Sequence, residues 1–243
     1  MLQIFQTKLN GFLNNIGKEK ALFLEPTCID FSKLHTAEFI SSLNTIIKNT
    51  GFEKIKDIIG SSAGAIIALL LGLGYTFAEI VLKLNDVHFH QLLNNKSNLY
   101  RIPLSLIVSN KTQNNQAILD RQVECLQEDN FLIWATQQIQ DKLGSPWATF
   151  SDLHKQATQD PSLKDIHLIG LDLNTGKLVL LNYKNTSDLP IAIAVRICMS
   201  FSTTFSIVEI KNLSTGEDSA YADGGITLQH INFDGCGYIK FHH

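Results

Sequence analysis

Residues 58–71 of the chain read Ile58-Ile59-Gly60-Ser61-Ser62-Ala63-Gly64-Ala65-Ile66-Ile67-Ala68-Leu69-Leu70-Leu71. β-branched residues come first, then a serine between two glycines, then alanines and leucines. The change of residue type predicts a buried strand that turns sharply into a buried helix. A serine at such a turn sits in a nucleophile elbow, where small neighbours let the backbone fold tightly and lift the Ser62 hydroxyl clear. The following helix aims free N–H groups and its positive dipole end at the same point. A second reading competes. Residues 58–78 carry no charge and are long enough to span a bilayer, and small residues four apart also suit packed membrane helices. Gly60, Gly64, Gly72 and Gly74 interrupt the stretch, which favours strand, turn and helix.

The same alternation extends along the chain. Ala21 to Leu24 predicts a first strand; Phe39, Ile40, Leu43, Ile46 and Ile47 recur at helical spacing before Gly51. Ile55 to Ile59 predicts a second strand, and the helix after Ser62 ends near Gly72 and Gly74. Strand, helix, strand, helix is an α/β pattern built on a parallel sheet. Ile102 to Val108 is an apolar run of undecided type. Leu119 to Leu143 reads as helix with Gly144-Ser145-Pro146 as its stop, and Ser151 to Ala157 as a short helix. Ile166 to Leu171 and Lys177 to Leu181 read as strands joined by a hairpin turn. Leu189 to Met199 reads as an apolar helix and Phe205 to Ile210 as a strand.

A chain of 243 residues with 44% hydrophobic and 18% charged residues predicts one globular domain. We divide it into an N-terminal amphipathic helix over 1–19 and a domain over 20–243. The net charge of −3 offers no basic patch for nucleic acid. Cys28, Cys125, Cys198 and Cys236 are scattered and read as reduced, small core residues. Leu2, Phe5, Leu9, Phe12, Leu13 and Ile16 place an apolar stripe on the first helix, which reads as packing on the domain or as lying at a membrane surface. No secretory leader is expected. His88-Phe89-His90 lacks the companions a metal site needs, so no metal is expected, and no nucleotide or other cofactor motif is found. His167 reads as an edge-strand residue. Trp134 and Trp147 read as core residues ahead of a lipid-facing rim, and Arg196, inside an apolar helix, as paired or capping within the core ahead of an anionic headgroup contact.

A second motif stands far from the first: Ala222-Asp223-Gly224-Gly225. Alone it is an Asp-Gly turn or a tight loop holding a carboxylate in a cleft. Together, Gly60-x-Ser62-x-Gly64 and Asp223-Gly224-Gly225 resemble the catalytic pair of the patatin-like phospholipases. Thr149-Phe150-Ser151-Asp152-Leu153 is similar to the segment that begins the family's second half. Leu171 to Lys177 resembles its hairpin, and Ala192 to Ser202 the helix and serine-rich turn before its Asp-Gly-Gly. The resemblance covers residues 20–234. It implies a three-layer α/β/α domain with a mainly parallel central sheet, and a Ser62–Asp223 dyad hydrolysing lipid acyl esters.

The chemistry is consistent with that. A serine hydroxyl is a poor nucleophile until a base takes its proton, and Asp223 becomes such a base if burial raises its pKa. The Ala63 N–H supplies one oxyanion donor. The family's Gly-rich loop after the first strand, which completes the oxyanion hole, is absent. Glu25-Pro26-Thr27-Cys28-Ile29-Asp30 stands there, and no glycine occurs between Gly17 and Gly51. Pro26 has no N–H, and Thr27 resists positive φ. Thr27 or Cys28 is left to supply the second donor. The Asn-Pro that usually follows Asp-Gly-Gly is replaced by Ile226-Thr227.

Three readings follow. The first is an acyl hydrolase acting on a lipid or phospholipid substrate. The second is an impaired relative that keeps the fold to bind lipid or protein. The third is an α/β hydrolase triad of Ser62, Asp172 or Asp223, and His230. The expected setting is cytoplasmic with peripheral membrane contact, or export by a non-classical route; a protein activator is left open.

Overall fold

In the computed structural model, residues 20–24, 41, 43–45, 48, 52–86, 99–101, 129–200, 207–211, 218–225 and 241–242 are described. Their strands are β1 (Lys20–Leu24), β2 (Ile55–Gly60), β3 (Leu99–Arg101), β4 (Asp165–Asp172), β5 (Lys177–Leu181), β6 (Ile207–Lys211), β7 (Asp218–Asp223) and β8 (Phe241–His242). One sheet joins them in the order β3-β6-β7-β4-β2-β1-β8, with β5 on β4. β1, β2 and β4 are mutually parallel. β3 parallels β6, and two antiparallel steps through β7 bring that pair into the same direction as β4. Five of the eight described strands thus run one way, as an α/β fold requires.

The described helices are α1 (Ala63–Gly72), α2 (Phe77–Asp86), α3 (Asn130–Leu143), α4 (Phe150–Ala157) and α5 (Ile191–Cys198). They cover both faces of the sheet. Alternate residues of a strand point to opposite faces, and β4 shows it directly. A side chain on Gly72 of α1 would strike Ile166, so Ile166 faces α1. Its neighbour Asp165 bonds His154 of α4. α1 and α4 therefore lie on opposite sides, giving three layers. All ten residues of α1 are buried. Each fully buried Leu or Ile contributes roughly 1.5–3 kcal/mol, so the uncharged run after Ser62 is a central core helix. No described helix is long and apolar enough to cross a membrane.

Local signals explain the boundaries. Thr149 and Asp152 form a reciprocal capping box that starts α4. Gly144, with φ 76, ends α3 in the left-handed conformation. Asp172 Oδ1 accepts from the amides of Asn174 and Thr175, which folds the β4–β5 hairpin.

Two expectations need correction. The helix expected over 119–143 begins at Asn130, because Asp129, with non-helical φ −117 and ψ 89, caps it through Leu132 N; 119–128 lie outside the described residues. His167 is not at an edge: it is fully buried on central strand β4. The N-terminal helix of 1–19, the 102–108 run, and Cys28, Cys125 and Cys236 also lie outside the described residues.

Candidate active site

β4 brings the two motifs together. Gly60, the last residue of β2, lies opposite Leu168, and Asp223, the last of β7, opposite Gly170, on neighbouring strands of the sheet. Ser61 and Ser62 lead from β2 into α1. Ser62 has φ 51 and ψ −134 and is the one described non-glycine residue with positive φ. That conformation is strained for an L-residue. Gly60 makes the turn possible: a Cβ there would lie 2.5 Å from Gly64 O and 2.8 Å from Ala68 Cβ. Gly64 N donates to Ser61 O at 2.9 Å and Ala65 N to Ser62 O at 2.8 Å, closing the first turn.

Ser62 occupies the N-cap of α1, yet its side chain makes no capping bond. Its hydroxyl stands close enough to the Asp223 carboxylate to lower that group's pKa, and the neighbouring Ser61 hydroxyl is the one that hydrogen-bonds the carboxylate. Ala63 N, the first amide of the helix, bonds no carbonyl among the described residues. Ser62 is half-buried.

Asp223 is 1% exposed. Its Oδ1 accepts from Gly225 N at 2.8 Å and from the Ser61 hydroxyl at 3.4 Å. Its own amide donates to Ser200 O at 3.1 Å. Burial raises its pKa to about 6, and the Ser62 hydroxyl, the Gly225 amide and the Ser61 hydroxyl only partly offset that rise. Gly224 must be glycine, since a Cβ would come within 2.6 Å of Ile169 O. Beneath the carboxylate, Cys198 donates its thiol to Ile169 O at 3.4 Å; burial first, then the Asp223 charge, pushes that thiol pKa well up.

The Ser200 turn is held by an ion pair. Arg196 Nε donates to Asp129 Oδ2 at 2.6 Å and Nη1 to Ser200 Oγ at 2.7 Å. Arg196 and Asp129 are both fully buried. The expectation that Arg196 pairs within the core is met.

Of the predicted site residues, Gly60, Ser62, Ala63, Gly64, Asp223, Gly224 and Gly225 converge. Thr27, Cys28, His88, His90 and His230 lie outside the described residues. Asp172 is spent on the hairpin turn, which leaves Asp223 as the carboxylate facing Ser62. Among the described residues no group of three or more His, Cys, Asp or Glu side chains would hold a metal ion.

A second polar cluster, missed in the sequence, occupies the opposite face. His167 Nε2 lies 2.6 Å from Asp57 Oδ1, and Asn182 Nδ2 lies 3.1 Å from His167 Nδ1. Asn182 Oδ1 accepts from the amides of Lys184 and Asn185, which fixes its amide orientation. Asn182 therefore donates to Nδ1, which leaves Nε2–H to donate to Asp57. Next to it His154 bonds Asp165 at 2.9 Å and stacks on Tyr183 at 3.8 Å. Both carboxylates line a cavity of about 500 Å³. Asp57 and Asp165 are register partners on adjacent parallel strands, so two like charges stand side by side and each has its own histidine.

A family model described as patatin-like phospholipase matches residues 37–232. The chain belongs to the patatin-like phospholipases. The family model covers most of the stretch, 20–234, over which the sequence itself carries the resemblance. Two solved structures share the fold. VipD from Legionella pneumophila superimposes with a TM-score of 0.52 at 15% identity, over 84% of this chain and 44% of that one. Full-length ExoU in complex with full-length SpcU, from the type III secretion system of Pseudomonas aeruginosa, gives 0.52 at 19% identity, over 76% of this chain and 38% of that one. The chain spans less than half the length of either of these two proteins. No curated protein sequence matches.

Proposed function

We propose that this chain is a lipid acyl hydrolase of the phospholipase A or lysophospholipase type, working through a Ser62–Asp223 dyad. The observation that carries this reading is the meeting of the two groups. A strained, half-buried serine at the start of a core helix stands beside a buried carboxylate whose pKa is raised to about 6. A carboxylate so placed is both ionised at neutral pH and basic enough to accept a proton.

Asp223 takes the Ser62 proton as Oγ bonds the ester carbonyl carbon. The carbonyl π electrons move onto oxygen, which the Ala63 N–H and the positive end of α1 stabilise. Collapse breaks the bond to the alcohol oxygen, and the Asp223 proton leaves with the alcohol. Water then repeats the sequence: its proton passes to Asp223, its oxygen bonds the acyl carbon, and Ser62 leaves carrying that proton. The fatty acid is released. Thr27 or Cys28 supplies the second oxyanion donor in this scheme. Without that second donor, turnover falls on the order of a hundred- to a thousandfold.

The substrate is a lipid or phospholipid met at a membrane surface from the cytoplasm. The structural relative ExoU is held with SpcU in its complex; by analogy we include a protein partner, with activation by it left open. A second reading has a specific motive. Glu25 to Asp30 offer no glycine to the oxyanion loop, which suits a chain that binds lipid or protein without turnover. Hydrolysis of a micellar phospholipid by wild type beside Ser62→Ala separates the two. A rate for wild type at least a thousandfold above the variant supports the hydrolase. Equal rates leave only binding.

A further inference from the structure

Ser61 has no role in the chemistry above, yet its side chain is fully buried against the base. We infer that Ser61 is a positioning residue for Asp223: its hydroxyl holds the carboxylate in place and selectively stabilises its charged form. This rests on the reading of Asp223 as the general base.

The hydroxyl carries one proton and has two acceptors within reach. Ile169 O lies 3.1 Å away and Asp223 Oδ1 3.4 Å away. Ile169 O is fixed by strand β4 and anchors the Ser61 oxygen where it stands. Among the described residues, the Asp223 carboxylate accepts from the Ser61 hydroxyl and the Gly225 amide, with the Ser62 hydroxyl beside it, and none of these is a cation.

The two acceptors make the hydroxyl a rotor that follows charge. A hydrogen bond to an ionised oxygen is about twice as strong as one to a neutral oxygen. While Asp223 is ionised, the Ser61 proton turns to Oδ1. Once Asp223 has taken the Ser62 proton, Ser61 turns back to Ile169 O. No buried donor is orphaned in either state, so the proton can be taken up and returned without a desolvation penalty at Ser61. The direction of the effect follows. Ser61 favours the charged form, and its removal raises the proton affinity of Asp223. A hydrogen bond of this kind shifts that affinity by roughly two- to tenfold.

The test is a carbon-13 titration of the Asp223 carboxyl in aspartate-labelled protein, its signal identified by its loss in Asp223→Asn. Wild type, Ser61→Ala and Ser61→Thr are compared, and kcat/KM for ester hydrolysis is followed over the same pH range. The expected carboxyl midpoint lies near 6 in wild type. It is higher by roughly 0.3 to 1 pH unit in Ser61→Ala, and Ser61→Thr returns it toward wild type because the hydroxyl is restored. The acid limb of kcat/KM moves by the same amount in Ser61→Ala. Two results overturn the inference: identical midpoints in wild type and Ser61→Ala, or equal displacement in the alanine and threonine variants, which marks a packing effect. The titration needs no turnover. A midpoint that moves as expected in a chain with no hydrolysis upholds the hold of Ser61 on the carboxylate and counts against the catalytic reading alone.

Discussion

Two buried aspartates on either side of Ser200 are treated in opposite ways. Asp129 is fully buried, and its charge is met at 2.6 Å by Arg196 while its other oxygen caps α3. Asp223 is 1% exposed and is met only by hydroxyls and a backbone amide among the described residues. The first arrangement stabilises a charge and holds elements together. The second leaves a charge under-compensated and therefore basic. Arg196 and Ser200 join the two, because the Ser200 hydroxyl accepts from Arg196 and its carbonyl receives the Asp223 amide. A carboxylate matched to a cation keeps its charge at little cost; one held only by weak donors in a dry place has a raised proton affinity, as the proposed general base requires.

The largest expected difference between them is chemical. Ser62→Ala and Asp223→Asn each lower turnover by on the order of ten-thousandfold, with far-UV circular dichroism unchanged, while Asp129→Asn leaves catalysis within about tenfold. Comparable turnover losses for both aspartates would erase the contrast. Arg196→Met comes next. It strands Asp129 as a buried, unpaired charge and lowers stability by about 3–5 kcal/mol, read by urea denaturation at pH 7; a loss under about 1 kcal/mol would mean that water reaches Asp129.

Asp223→Asn separates function from stability. The folded pKa near 6 lies above the unfolded value. The folded chain thus holds this proton more tightly, and the associated stability is full below about pH 4 and lost as pH rises through about 6. At pH 8 the variant is expected to be more stable than wild type by on the order of 2 kcal/mol, and at pH 4 the advantage disappears. Denaturation at the two pH values decides it, and a variant less stable at pH 8 contradicts the under-compensated charge. The smallest effect belongs to the turn itself. Ser62→Gly relieves the positive φ and gains about 1 kcal/mol over Ser62→Ala, a comparison in which neither residue has a hydroxyl. Equal melting temperatures would show that the turn stores no strain.

Much of the fold could be read from the chain because the signals were local. A residue change at Gly60 marks β2 and α1, a capping box starts α4, and a side-chain-capped turn joins β4 to β5. The pairing of Ser62 with Asp223 was legible only through two glycine-framed motifs taken together. Neither shows in isolation that Leu168 and Gly170 bring them to one level of the sheet. His167 was misplaced because its partners, Asp57 and Asn182, are supplied by other strands and turns, and no spacing along the chain announces them. Ser61 was passed over for the same reason. A serine inside a Gly-Ser-Ser turn looks like filler until Ile169 O and Asp223 Oδ1 are seen beside it. The start of α3 was misread because no glycine or proline interrupts 119–143 at Asp129, and the arginine that holds the other oxygen of this capping carboxylate lies far along the chain.

The account depends on Asp223 activating the Ser62 hydroxyl. The direct measurement is the rate of Ser62 modification by a fluorophosphonate as a function of pH, in wild type and in Asp223→Asn, with the adduct located by peptide mass spectrometry. The expected rate rises with a midpoint near pH 6 in wild type and is absent at every pH in Asp223→Asn. Modification of Ser62 at the same rate in both proteins would contradict it.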